Sequence, residues 1–318
     1  TGGLSMAEKI STRVAYGNAL REFGDNPDIV AVEADLSSCT MSCTFQEKFP
    51  NRHFNVGIAE ANMIDIAAGF ATTGKIAFCH SFAMFTAGRG YDQIRNSVAY
   101  PHLNVKIIGS HAGLTVGEDG ATHQCIEDLS LMRTIPGMVV LAPCDANETR
   151  EAVRAMIDYQ GPVYMRTGRT ALANVTPTIP GYHFTLGKGV TLKAGTDVTL
   201  IACGLMVQEC LKAAELLAAL GISARVIDMH TIKPIDEALI LQAARETGAI
   251  VTAEEHNIIG GLGSAVAEVL SARHPAPRER VGVEDCFGRS GEACALLARY
   301  GLTTEHVVER AKKAIARK

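Results

Sequence analysis

The densest set of groups able to do chemistry lies in IIGSHAGLTVGEDGATHQ, residues 107–124. There an apolar strand pattern runs into a glycine-rich loop holding His111, Glu118, Asp119 and His123. A long polar loop loaded with titratable groups at the end of a strand ordinarily binds or reacts. His111 and His123 offer donors to phosphate or hydroxyl oxygens, and Asp119 offers an acceptor to a sugar hydroxyl. A metal centre is the rival for these residues, yet a Glu-Asp pair between widely spaced histidines matches no recognised ligand geometry. No metal site is expected.

Three further segments point the same way, each with an ordinary alternative. HFNVGIAEANM, residues 53–63, reads as a strand turning at Gly57 into a helix that carries Glu60 among apolar neighbours. A carboxyl in that setting can share a proton with a basic heterocycle nitrogen, or simply satisfy first-turn amides and the helix dipole. HSFAMFTAGRGYDQIR, residues 80–95, sets Phe82 and Phe85 just after a buried strand in a chain that is 5% aromatic. Ligands bind at strand ends in open α/β sheets, so the two rings could sandwich a flat heterocycle; a core pair accounts for the spacing equally. In YMRTGR, residues 164–169, Arg166 and Arg169 leave a strand end with guanidinium groups suited to bidentate phosphate capture, or to surface ion pairs.

The elements that must position these groups alternate between short apolar runs and segments of helical period, which makes the fold class α/β, with a parallel sheet covered by helices on both faces. Expected strands are Ile29 to Glu33, Ile76 to His80, Val105 to Gly109, Val139 to Ala142 and Val163 to Arg166. Asp145 and Glu148 fit a capping box that opens a helix from about Asn147 to Gln160. ALANVTPTIPGYHFTLG, from Ala171 to Gly187, has no helical or alternating period and is expected to link two domains, 1–176 and 177–318. Beyond it, Val198 to Ala202, Ala224 to Asp228, Ile250 to Ala253 and Val281 to Glu284 read as strands. Met206 to Leu220, Asp236 to Thr247 and a segment after Gly263 read as helices. The opening TGGLS is set aside from the fold.

Composition narrows the partners. The 318 residues carry a formal net charge of −4 and are 47% hydrophobic, enough for two cores and without the basic footprint of a nucleic-acid or membrane-surface protein. No apolar run approaches the ~20 residues of a membrane span. Nine cysteines without paired C-x-x-C spacing read as reduced thiols, so the expected location is cytoplasmic.

Taken together, the four segments resemble the transketolase family over essentially the whole chain, in the order pyrimidine domain, linker, smaller α/β C-terminal domain. GEDGATHQ, residues 117–124, is close to a transketolase signature. IAEANM, residues 58–63, matches the site of the family's cofactor-activating glutamate, and SFAMF, residues 81–85, its aminopyrimidine pocket. EEHNIIGGLGSAVAEVL, residues 254–270, is similar to the glycine turn and helix of the C-terminal domain, and reads as helix-start packing rather than a phosphate cradle. The resemblance implies thiamine diphosphate and Mg2+ as cofactors. It gives Glu60 the pyrimidine ring nitrogen, where it would stabilise the imino form that deprotonates the thiazolium. Phe82 and Phe85 would stack on or flank that ring. His123 and Asp119 would contact the donor ketose, while Arg13 (in KISTRVAYG, residues 9–17), His111 and Arg169 would sit at the substrate phosphate, with Arg166 a further candidate.

The sequence departs from the family in three places. Cys39, beside Ser37 and Ser38, falls where many transketolases place a phosphate-binding serine. Gly88 lies where some carry a tyrosine beside the pyrimidine. Single-chain transketolases are about twice this length, and their first half holds Mg2+ and the diphosphate with a Gly-Asp-Gly segment and a following asparagine. No such segment occurs here. The resemblance therefore implies a separate N-terminal, diphosphate-binding subunit, two copies of each chain in a heterotetramer, and ketol transfer from a ketose phosphate to an aldose phosphate. Alternatives are a subunit resembling deoxyxylulose-phosphate synthase or the beta chain of 2-oxoacid dehydrogenases, and a non-catalytic regulatory subunit.

Overall fold

The computed structural model describes residues 9–176 and 182–318. The first half supplies β1 (Ile10–Ser11), β2 (Ile29–Glu33), β3 (His53–Asn55), β4 (Ile76–Phe82), β5 (Val105–Ser110), β6 (Val139–Leu141), β7 (Val163–Arg166) and β8 (Ala171–Leu172). The second supplies β9 (Val190–Lys193), β10 (Val198–Ala202), β11 (Ala224–Asp228), β12 (Thr231–Lys233), β13 (Ile250–Asn257) and β14 (Arg278–Val283). They assemble into a seven-stranded sheet of order β12-β6-β7-β5-β4-β2-β3, a five-stranded sheet of order β14-β13-β10-β11-β9 and the two-stranded pair β1-β8.

β2, β4, β5 and β7 are buried along their whole length, as parallel strands with helices on both faces must be. Alternate residues serve opposite layers. Val30 and Val32 of β2 join Met63, Ile64 and Ala67 of the helix Glu60–Thr72, whereas Ile29 and Ala31 join Tyr16, Leu20, Phe45 and Val153 on the other face. The first of these cores continues across the domain boundary through Leu129, Met132, Met229, Ile232 and Leu262.

β2, β7, β10 and β11 occupy the spans their apolar runs indicated. β4 and β5 each run further, and β13 extends to Asn257, past the expected Ala253, because Glu254, Glu255 and His256 find buried partners that the apolar pattern cannot show. The helix opened by Asp145 spans Ala146–Asp158, with the Glu148 N–H donating to Asp145 Oδ1 at 2.8 Å. Only half of the capping box forms: the Glu148 carboxylate accepts instead from the Cys144 N–H at 2.7 Å. The glycine turn behaves as helix-start packing. The amides of Leu262 and Gly263 donate to Glu254 at 2.7 and 2.8 Å, so a protein carboxylate fills the place a phosphate would take, and a Cβ at Gly261 would collide with it.

The start of the expected linker is a strand rather than irregular chain. Ala171 and Leu172 pair antiparallel with β1, while residues 177–181, and with them the expected boundary after 176, lie outside the described residues. Four strands had no sequence expectation: the short pair β1 and β8, β9, an antiparallel edge on β11, and β12, which returns from beyond the linker to close the first sheet against β6.

Candidate functional site

The chemistry-bearing residues gather at the carboxyl edge of the seven-stranded sheet, where parallel strands leave open loops. After β3 the backbone turns at Gly57, whose φ of 75° lies in the left-handed region that glycine tolerates. It then enters the helix Glu60–Thr72 at Glu60, a side chain only 5% exposed. Glu60 Oε1 accepts from Arg89 Nη1 at 2.9 Å, and the same guanidinium lies 4.2 Å from the centroid of Phe85. Arg89 is carried on the π-helical turn Met84–Arg89 that follows β4, a geometry common at functional sites.

Phe82 and Phe85 lie with centroids 5.8 Å apart and planes 11° from parallel. Inserting a ring between them would need about 7 Å, twice the ~3.5 Å contact of carbon atoms, so at this spacing the pair leaves no room for the sandwich considered from the sequence. His111 stacks on Phe82 at 4.1 Å, and His123 stands edge-on to Phe85 at 5.2 Å. Glu60, both phenylalanines and both histidines thus share one site.

His111 holds a φ of 57°, rare for a residue with a Cβ, and donates or accepts through Nδ1 with Ser110 Oγ at 2.9 Å. Burial first, then the charges of Arg13 and Arg169, push its imidazole down to about 3, so it is neutral at physiological pH. Arg13 donates to the Cys39 carbonyl at 2.8 Å, and Arg169 to the Val116 carbonyl at 2.7 Å. The structure therefore brings Arg13, His111 and Arg169 together. Asp119 ends the turn Leu114–Asp119, exposed on the loop that also carries His123.

Arg166 does not join them. It is 8% exposed, its Nε lies 3.0 Å from Asp128 Oδ2, and its Nη1 donates to the Glu255 carbonyl at 3.2 Å. Burial would depress this guanidinium, but the neighbouring Asp128 and Glu255 hold it above its ordinary value. A strand-end arginine with an apolar neighbourhood is read from sequence as solvent-facing; here the second domain covers it, and it serves as an interdomain brace. At Gly88 a Cβ would meet the Met84 methyl, so no aromatic wall rises there without rearrangement.

Several buried groups escaped the sequence reading. Glu33 accepts from Thr40 Oγ1 at 2.8 Å and Ser42 Oγ at 2.7 Å, and burial pushes it up to about 7. Near it Tyr16 Oη meets His80 Nε2 at 2.5 Å. Deeper, Cys144, Glu148 and Asp228 lie within 4.8 Å of one another. Glu148 already accepts from the Cys144 N–H and from Tyr182 Oη. Burial, then Glu148, holds Asp228 well above its ordinary value, as expected of a buried carboxyl beside a second one. The available signals were polar residues inside apolar runs, such as Glu33 ending IVAVE and Asp228 ending ARVID.

Two family descriptions match the sequence: "Transketolase, pyrimidine binding domain" over residues 8–174 and "Transketolase, C-terminal domain" over residues 187–307. The chain belongs to the transketolase family. A "Putative transketolase C-terminal section" of Methanocaldococcus jannaschii is 49% identical over 94% of this chain and 94% of its own length. The "6-deoxy-6-sulfo-D-fructose transketolase subunit SqwH" of Clostridium sp. (strain MSTE9) is 46% identical over 96% of this chain and 95% of its own. A solved structure described as "Split gene transketolase, inactive beta4 tetramer" superposes with a TM-score of 0.88 at 50% identity, covering 97% of this chain and 99% of that one. The resemblance drawn from the sequence and the expected order of pyrimidine domain and C-terminal domain are both borne out.

Transketolases depend on thiamine diphosphate, and the residues present fit one end of it. A buried carboxylate near the half-buried Phe85 ring suits the aminopyrimidine. Among the described residues the one cluster of three His, Cys, Asp or Glu side chains close enough to share a metal ion is the buried group at Cys144. Among the described residues no helix is long and apolar enough to cross a membrane.

Proposed function

We propose that this chain is the pyrimidine-binding subunit of a two-subunit transketolase that moves a two-carbon ketol unit from a ketose phosphate to an aldose phosphate. The observation that carries this reading is the convergence of buried Glu60 with Phe82, Phe85 and His123 at the carboxyl edge of the seven-stranded sheet. A separate subunit holds Mg2+ and the diphosphate, and two copies of each chain form a heterotetramer with sites between them. Two relatives that match this chain nearly end to end are named as a transketolase section and a transketolase subunit, and the related solved assembly is described as inactive. Nine cysteines, none in a disulfide, suit a reducing cytoplasm.

Bound thiamine diphosphate supplies the nucleophilic carbon that breaks and remakes the ketose carbon–carbon bond. Glu60 holds the pyrimidine nitrogen and keeps a proton between that nitrogen and its own oxygen. Arg89 gives up that oxygen when the ring enters. Phe82 and Phe85 present the apolar wall. His123 and Asp119 orient the donor hydroxyls. Arg13, Arg169 and neutral His111 receive a tetrahedral terminal oxyanion, with two permanent charges and one uncharged donor. That chemistry serves a phosphate, or the sulfonate in the name of the Clostridium relative.

The test is ketol transfer between xylulose 5-phosphate and ribose 5-phosphate by the chain alone and by the chain mixed with a diphosphate-domain subunit, thiamine diphosphate and magnesium. Activity is expected only in the mixture and is lost on Glu60→Gln without loss of circular dichroism. Turnover by the chain alone, or by the assembled Glu60→Gln enzyme, overturns the reading.

A further inference from the structure

The loop bearing Asp119 and His123 turns at Gly113, Gly117 and Gly120, which all have φ between 78° and 86°. Within its own domain Gln124 Nε2 donates to the Leu114 and Gly117 carbonyls at 3.1 and 3.3 Å and Gly113 N–H to the Cys125 carbonyl at 2.8 Å; further restraints come from the other domain. Glu254 and Glu255 are neighbours on β13 and therefore face opposite ways. Glu254 turns back to cap the helix Leu262–Arg273, whereas Glu255 reaches into the first domain. There the buried Glu255 carboxylate accepts the Thr115 N–H at 2.7 Å and lies against Gly113, where any Cβ would run into it. Burial pushes this carboxyl up, while the Arg166 guanidinium and the Thr115 N–H pull it down. The other end of the loop is tied as well. Ser290 Oγ donates to the Glu118 carbonyl at 2.5 Å, and Gln124 Nε2 donates to the Arg289 carbonyl at 2.9 Å.

We propose that the C-terminal domain positions the donor-binding loop, with Glu255 as the positioning residue that fixes its Thr115 end and the Arg289–Ser290 segment fixing its Glu118 and Gln124 end. The inference rests on the transketolase reading of the site. Glu255 touches no reacting atom; it acts through the backbone of Gly113 and Thr115, three to six residues before Glu118 and Asp119. Arg169 is drawn into the same arrangement, because its partner Val116 follows Thr115 directly. The glycines that let the backbone turn carry more backbone freedom than other residues, so contacts from outside the loop weigh on the shape it keeps. A domain far from the carbon–carbon bond thereby sets where the donor hydroxyls are met.

The experiment compares Glu255→Ala and Glu255→Gln in the assembled enzyme and in the isolated chain. In the assembled enzyme, Glu255→Ala is expected to raise the donor KM about tenfold, the lower end of what a lost hydrogen bond to a charged group is worth. Affinity for thiamine diphosphate stays unchanged, and Glu255→Gln, which keeps an oxygen for Thr115, recovers most of the loss. In the isolated chain, backbone amide exchange across 113–124 accelerates in Glu255→Ala while the helix Glu60–Thr72 is unaffected. A donor KM unchanged in an active enzyme, or exchange that rises evenly over the chain or not at all in the loop, overturns the proposal. Should the wild-type mixture be silent, that failure belongs to the functional reading, and the exchange measurement alone decides this one.

Discussion

Replacing Arg166 with methionine separates an anion-binding role from a bracing one. The guanidinium is 8% exposed and its partner Asp128 is fully buried, with Nε and Oδ2 3.0 Å apart. Methionine fills most of the volume but leaves Asp128 as a buried charge facing only the Tyr164 hydroxyl, 2.8 Å away. Breaking one side of a buried pair costs about 3–5 kcal/mol. For a domain of this size each kcal/mol shifts the melting temperature by roughly 2–4 °C, so the midpoint should fall by on the order of 10 °C. Urea and thermal unfolding of the isolated chain, followed by circular dichroism, measure this. The double replacement Arg166→Met with Asp128→Leu should cost less than the single one, since removing both charges leaves neutral groups short of partners, the Tyr164 hydroxyl and the Glu255 and Cys125 carbonyls, in place of an unpaired buried charge. A methionine variant that melts within about 2 °C of wild type and raises the KM for a phosphorylated ketose would refute the reasoning and return Arg166 to the phosphate site.

His111, at about 3 in the folded chain against roughly 6.5 unfolded, is a base with a lowered value. The stability it contributes is complete above the unfolded value and is lost as pH falls from about 6.5 toward 3. Ring-nitrogen NMR should accordingly find it neutral down to about pH 4, and protonation near pH 6.5 contradicts its placement beside Arg13 and Arg169. The Arg89 guanidinium, 55% exposed at its pair with Glu60, must leave before a pyrimidine can reach that carboxylate. Because a half-exposed pair is worth up to about 1 kcal/mol, Arg89→Ala should tighten thiamine diphosphate binding to the assembled enzyme by about two- to fivefold in calorimetry; weaker binding would show that Arg89 helps hold the cofactor.

The site was legible where chemistry and local pattern coincide. Glu60 follows a glycine turn between a short strand and a helix, and Phe82 ends an apolar run, so both could be placed at a strand's carboxyl end before any coordinates. Arg13 and His111 lie 98 positions apart, and only the resemblance to transketolases joined them; the structure supplies the physical link, through the charge of one on the imidazole of the other. Arg166 and Arg169 look equivalent in YMRTGR, but the second domain buries one and leaves the other half-exposed. Glu255 was equally hidden. Two adjacent carboxylates ending IVTAEEHN look like a solvated strand terminus until tertiary packing gives each a separate buried donor.

β12 carries a consequence for any attempt to divide the molecule. It lies beyond the linker in sequence, yet its three residues pair with β6 on the rim of the sheet that bears Glu60. A fragment stopping at residue 176 would keep every predicted cofactor contact of this chain while leaving β6 with a row of unpaired amides and carbonyls, a template for another chain. Such a fragment is expected to self-associate through that rim, or to borrow the missing strand from a neighbour by exchange. The smallest piece that can be moved between polypeptides intact is the two domains together.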